Sequence, residues 1–333
     1  MQSFSIIIVS WNALEHLKTF LPSVCATSYP KFEVILADNG SSDDSAAWVR
    51  THFPQVRVVS LDKNYGYCGG NNRAASQARY DNLVFLNNDV EVSSDWLTPV
   101  ARMLSDQPNV AVIQPKLRSY VQKSHFEYAG AAGGFLDAYG YPFCRGRLFD
   151  TVEEDLGQYD TATPIFWASG AAMVIRRRIF EECGGFEERF EFHMEEIDLC
   201  WRVQHMGKQV WYCPQSVVYH LGGGSLPTNS ARKVFYNFRN NLWMIRRNLN
   251  GLALWKVLLV RAILDDLAVF RFVIAGKFKL GISANIASFV GNLSRIPKPV
   301  RTSENALFKP ELYQKSIVYQ YFIRKVKRYS DLP

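Results

Sequence analysis

The sequence predicts an α/β protein, with a mostly parallel sheet flanked by helices and a C-terminal helical extension. Three observations carry this. Short apolar runs alternate with segments of helical period over the first hundred residues. Charge divides the chain near residue 230, with 19 Lys/Arg against 26 Asp/Glu before it (net −7) and 19 against 5 after it (net +14). Beyond 230 the apolar spacing becomes helical. The 333 residues, 48% of them hydrophobic, allow one large domain with an appendage, or two domains.

The apolar runs 4–9 (FSIIIV), 32–37 (FEVILA), 56–61 (VRVVSL) and 83–86 (LVFL) lack alternation, as strands covered on both faces do. Helical stretches at about 13–26, 43–53 and 70–79 separate them, giving a β-α-β-α-β-α-β order with right-handed crossovers. In such sheets ligands sit beyond the carboxyl ends of the strands. Three of those ends are unusually polar: Asp38 through Asp43, Asn64 through Tyr67, and Asn87-Asn88-Asp89.

The segment 110–165 has glycine clusters and many aromatics without clear periodicity, so its strands and loops are assigned only loosely. After it come a strand at 171–175, a basic helix start at Arg176, a stop at Gly184-Gly185, a helix over 195–206, and strands at 209–212 and 216–219 leading into His220-Leu221-Gly222-Gly223-Gly224-Ser225. Past 230, Val234, Phe238, Leu242, Ile245 and Leu249 form one helical stripe, with Arg239, Asn240, Arg246 and Arg247 elsewhere. The next helix, about 252–275, is apolar with charges spread around it.

Six scattered cysteines form no CxxC pair, which argues against a zinc site or a disulfide framework and for reduced thiols in a cytoplasmic setting. MQSFSIIIVSWN reads as a first strand and not as a signal peptide. No apolar stretch reaches the roughly 18 residues that span a bilayer.

Several clusters carry chemistry. A carboxylate held directly after a buried strand, as Asp89 is, can bind a hard cation whose remaining positions go to phosphate oxygens; a turn after the strand would explain Asn87 and Asn88 equally well. Asp38 sits where a nucleoside edge could be read, while Ser42 or Asp43 caps the following helix. Glu195, Glu196 and Asp198 crowd one helical turn, where the dipole favours them. Asp198 has Arg202 at i+4 for a structural bridge, leaving Glu195 and Glu196 free to accept a proton. His220 beside glycines suits an anion nest.

Taken together and in order, IIIVSWN (6–12), ILADNGSSDDS (35–45), NYGYCGGNN (64–72), FLNNDVEV (85–92), WASGAAMVIRR (167–177), GGFEERFEFHMEEIDLCWRV (184–203), VVYHLGGGS (217–225) and YNFRNNLWMIRR (236–247) resemble the inverting nucleotide-sugar glycosyltransferases of family 2, in detail the bacterial rhamnosyltransferase-like members. The resemblance covers about 1–250. It implies a GT-A fold, with a catalytic domain over 1–230 and a basic helical region over 231–333; the catalytic domain would divide into a nucleotide-binding half to about 110 and an acceptor half beyond. It also implies a nucleoside-diphosphate sugar donor, Mg²⁺ or Mn²⁺, and a role in cell-surface polysaccharide biosynthesis with rhamnose from a dTDP donor.

By position, the resemblance gives Asp38, Asn12, Asn64, Gly66, Asn71 and Asn88 to donor binding, Asp89 and His220 to the metal, and Glu196, beside Glu195, to the base. The chain departs from the family pattern twice: Asn87 opens the DxD-like element, and Glu196 stands where Asp is common. The basic C-terminal helices would serve peripheral docking on the inner face of the membrane, where a glycan or lipid-linked acceptor is reached, or else pack as a cap in a homodimer. A non-catalytic membrane adaptor is the alternative reading. A dehydrogenase is disfavoured because the first βα turn lacks GxGxxG, and the acidic domain disfavours nucleic acid.

Overall fold

The computed structural model describes residues 1–222, 230–294 and 312–333. Its first half is β1 (Phe4–Ser10), α1 (Leu14–Cys25), β2 (Phe32–Asp38), α2 (Ser45–His52), β3 (Arg57–Ser60), α3 (Gly66–Ala75) and β4 (Asn82–Leu86), the order read from the sequence. β1 pairs in parallel with β2 and β4, and β2 with β3. Successive residues serve opposite faces: Ile7, Ile35 and Phe85 enter one core, while Ile6, Leu36 and Val84 enter the other. That two-sided burial is why these strands lack polar alternation.

One helix is displaced from its expected position. α3 spans Gly66–Ala75 and not 70–79. Its first two turns are glycine-rich and read as loop, yet Gly70 is needed there, since a Cβ would lie 2.8 Å from Val9 Cγ1. Close approach of helix to strand, and not helix propensity, fixes this segment.

The second half adds β5 (Val90–Val92), α4 (Leu97–Asp106) and β6 (Val110–Ser119), then a small sheet of β7 (Gly134–Leu136), β8 (Pro142–Cys144), β9 (Arg147–Leu148) and β10 (Thr151–Val152). β11 (Thr163–Ile165), β12 (Ala172–Arg176), α5 (Arg177–Glu182), α6 (Glu195–His205) and β13 (Gln209–His220) follow. The main sheet runs β11-β13-β6-β12-β4-β1-β2-β3, with β5 beside β13. β12 is antiparallel to β4 and β6, so the sheet is parallel in its first half and mixed in its second. The strands expected at 209–212 and 216–219 are one strand whose register against β6 shifts between Cys213 and Val217.

The C-terminal part is helical: α7 (Ala231–Asn248), α8 (Gly251–Ile274), α9 (Phe278–Leu293) and α10 (Ile317–Phe322). Four polar positions of α7 do not face water. Arg239, Asn240, Asn241 and Asn248 are buried together with Leu242 and Ile245, because they bond neighbouring loops and helices. Residues 312–333 return to the small sheet, where Tyr313 N–H donates to Leu136 O and Ile317 N–H to Asp137 Oδ2. Among the described residues no helix is long and apolar enough to cross a membrane.

Candidate active site

The carboxyl ends of β1, β2 and β4 converge on one edge of the sheet and are bonded to each other. After β1, Asn12 has a left-handed backbone (φ 48°), and its Oδ1 accepts from Ser42 N–H at 2.8 Å. Asp38, closing β2, accepts from Ser41 N–H at 3.1 Å. Asp43 accepts from the first N–H of both α1 and α2, so it and not Ser42 acts as the cap. Asn88 donates to Ser10 Oγ at 3.2 Å. Asn64 Oδ1 accepts from Gly66 N–H and from the buried Asn39 amide, bracing the turn into α3. Asn71 is buried and donates to Tyr67 O within its own helix.

β4 ends at Leu86, and the next three residues turn so that β5 can pair with β13, Val90 opposite His220. That register, sealed by Leu221 N–H donating to Asp89 O, brings Asp89 Oδ1 to 3.1 Å from His220 Nε2. Asn87 Nδ2 lies 3.4 Å from the same nitrogen. On the far side of the ring, Nδ1 lies 3.4 Å from Glu127 Oε1, an ion-pair contact too poorly aligned for a hydrogen bond. Gly222 completes the corner at φ +69°, where a Cβ would stand 3.1 Å from Glu127 Oε1. Gly223, Gly224 and Ser225, the rest of the expected anion nest, lie outside the described residues.

Burial pushes the His220 imidazole down, but the carboxylates of Asp89 and Glu127 outweigh it and hold the ring up at about 10. Burial likewise opposes charge on Asp89, and its bond to His220 reverses the sign, keeping the carboxyl below its usual range. A carboxylate oxygen and an imidazole nitrogen 3.1 Å apart fit neighbouring positions on a six-coordinate ion, since bonds of about 2.1 Å place such ligands about 3 Å apart. The mixed O/N set suits Mn²⁺ better than Mg²⁺, which takes oxygen ligands. Among the described residues no three His, Cys, Asp or Glu side chains surround one point, so most of the shell would be left to phosphate oxygens and water.

Glu195 and Glu196 open α6 after an unusual approach. Glu191, His193 and Met194 all have positive φ (59°, 67° and 74°), a strained run held by α7: Asn240 Nδ2 donates to Phe190 O and Phe192 O at 2.6 Å and to His193 O at 3.0 Å. Asp198 is bound by Arg202 Nε and Arg247 Nη1 at 2.8 Å and by Asn248 Nδ2 at 2.9 Å, so it is structural, as its spacing suggested. Glu195 and Glu196 each keep one buried oxygen without a partner. Burial raises the Glu196 carboxyl to about 7; burial and then the charge of Glu196 raise Glu195 well above its usual range.

Among the described residues no hydrogen bond or ion pair links the Asp89–His220 corner to the glutamates, and Tyr67 bonds on the corner's side. Its hydroxyl donates to Gly170 O at 2.8 Å, and the adjacent Ala171 O accepts from Asn87 N–H. Burial and then the charges of Glu195 and Glu196 raise the Tyr67 hydroxyl well above its usual range. Sequence reasoning missed Tyr67, Glu127 and Asn240. Tyr67 lay inside a quoted string, whereas nothing local marks Glu127.

The family model described as Glycosyl transferase family 2 matches residues 5–184. The chain belongs to glycosyl transferase family 2. Relatives of this chain include the O-antigen biosynthesis protein RfbC of Myxococcus xanthus, 30% identical over 236 residues, which are 70% of this chain and 18% of that protein. The N-acetylglucosaminyl-diphospho-decaprenol L-rhamnosyltransferase of Mycobacterium tuberculosis is 26% identical over 65% of this chain and 75% of its own length. The chain thus spans under a fifth of one relative and three quarters of the other. Solved structures agree on the GT-A fold. The mannosyltransferase PcManGT of Pyrobaculum calidifontis, in complex with GDP-Man and Mn²⁺, superposes with a TM-score of 0.55 at 12% identity over 89% of this chain and 88% of that one. GalNAc-T7 with UDP, GalNAc and Mn²⁺ gives 0.58 at 16% identity over 74% and 48%.

Proposed function

We propose that this family 2 protein transfers a sugar from a nucleoside-diphosphate donor to a hydroxyl of a glycan or lipid-linked acceptor, with inversion, in cell-surface polysaccharide assembly. The observation that carries the reading is the Asp89–His220 pair, a two-ligand corner at the carboxyl end of a parallel sheet, where a diphosphate would be held. The rhamnosyltransferase relative makes a dTDP-rhamnose donor the first to test.

The residues divide the work as follows. Asp38, Asn12, Asn64, Gly66, Asn71 and Asn88 line or brace the donor side. Asp89 and His220 would hold Mg²⁺ or Mn²⁺, which supplies Lewis-acid neutralisation of the departing diphosphate. Glu196, with a carboxyl near pH 7, accepts the proton of the acceptor hydroxyl while that oxygen bonds to the anomeric carbon and the carbon–phosphate-oxygen bond breaks. Glu195 stays protonated beside it, so the pair carries one charge. A single displacement at carbon gives inversion and needs no covalent enzyme intermediate. The cysteines, all unpaired, suit a reducing, cytoplasmic location.

The test is a donor panel incubated with Mn²⁺ and read by mass spectrometry. Selective release of one nucleoside diphosphate, abolished in Asp89→Ala, is the expected result. No selective hydrolysis or stabilisation by any nucleoside diphosphate would return the adaptor reading.

A further inference from the structure

Helices α8 and α9 carry apolar side chains outward. On α8, Leu252, Trp255, Leu259, Ile263, Leu267 and Phe270 recur at steps of three and four along a helix about 36 Å long, and Trp255, Leu259 and Ile263 are 65%, 68% and 64% exposed. On α9, Phe278, Ile282, Ile286 and Phe289 repeat the pattern, with Phe289 66% exposed. The opposite faces already have partners. Arg261 and Asp265 of α8 are buried together, with Arg261 bonded to Asn241 and Asp265 to the Tyr141 hydroxyl. α9 turns Gly281, Ala284, Ala287 and Gly291 inward, and a Cβ on Gly291 would lie 2.9 Å from Leu242 Cδ1. Among the described residues nothing covers the outward stripes, which far exceed the scattered apolar exposure of an ordinary surface.

We propose that the α8–α9 hairpin is a docking face for an anionic lipid bilayer, lying in the plane of the interface. Three features favour lipid over other occupants. The exposed charges on the hairpin are Lys256, Arg271, Lys277 and Lys279 against Asp266 alone, and Lys277 and Lys279 flank the exposed Phe278 at its turn. Basic side chains beside apolar ones match anionic headgroups over acyl chains. These exposed charges leave the face net positive, so two copies brought face to face would repel. Trp255 is a residue type that settles at headgroup depth, and Phe270, Phe278 and Phe289 are of the kind an interfacial helix buries at the acyl boundary. The outward stripes include neither Asp89 nor Glu196, and the proposal stands whichever reaction those residues perform.

The test is co-sedimentation of the full chain with sucrose-loaded vesicles of phosphatidylcholine, with or without 30% phosphatidylglycerol. Binding to the anionic vesicles is expected, weakened about tenfold or more in Leu259→Ser/Ile263→Ser/Phe289→Ser. Lys277→Glu/Lys279→Glu, which touches no core residue, should weaken it at least about fivefold per charge reversed, and decides the matter if the triple variant fails to fold. Unchanged binding in the folded variants, no binding to anionic vesicles at low salt, or equal binding to neutral ones would overturn the proposal. So would a stable dimer by light scattering that the triple variant dissolves and that ignores vesicles.

Discussion

The carboxylate of Asp89 and the imidazole of His220 meet at 3.1 Å because β5 and β13 pair in a register that sets Val90 opposite His220. The proposed metal corner is therefore a product of strand pairing, and the two side chains at its centre hold each other charged.

That mutual hold sets the pH dependence of metal binding. His220 titrates at about 10, so at neutral pH a metal ion must displace its proton. Affinity for Mn²⁺ should rise about tenfold per pH unit from 7 to 9, with close to one proton released. Calorimetry in buffers of different ionisation enthalpy measures both, and an affinity flat across this range would exclude His220 as a ligand.

Asp89→Ala should reduce metal-dependent turnover about a hundredfold or more. His220→Ala should do the same at neutral pH, whereas Glu127→Gln, which changes only the far side of the ring, should cost Mn²⁺ affinity about tenfold. Steady-state kinetics against free Mn²⁺ separates the three.

Glu196 should give the rate an acid limb near pH 7, with turnover rising as its carboxyl ionises. The same raised value bears on stability with the opposite sign. A carboxyl raised on folding contributes stability below its unfolded value of 4.5 and loses it as pH rises through about 7. Glu196→Gln should therefore be inactive yet more stable at pH 8, on the order of 1–2 kcal/mol, with the gain vanishing near pH 4.5. Thermal melts at the two pH values check this.

Asn240→Ala removes the amide that three loop carbonyls share ahead of Glu195. A loss of about 2–4 kcal/mol is expected from the unpaired carbonyls. If the clamp positions the glutamates, kcat falls further than KM changes. A loss of stability with kinetics intact would assign Asn240 to folding alone.

How much of this was legible follows from where each signal lives. β1 to β4 were readable because two-sided burial leaves contiguous apolar runs, and Asp38 and Asp89 because they sit where those runs stop. The threefold engagement of Asp198 was visible in one part, since Arg202 is a turn away while Arg247 and Asn248 come from α7. Glu127 was hidden because it reaches His220 through tertiary packing from a segment without periodicity. α7 misled for a related reason. Asn240 looked like part of a polar face, but it satisfies the backbone of a strained loop, which only the fold reveals.

The closing stretch 312–333 fastens onto the small sheet, with Tyr321 against Phe149 and Tyr329 against Phe143. The α8–α9 hairpin is thereby spliced between two segments anchored in the same body. A foreign hairpin grafted in its place would leave α7 and the loop ahead of Glu195 supported only if it kept the inward residues Arg261, Asp265, Ala284, Ala287 and Gly291, so the outward face alone is the exchangeable part.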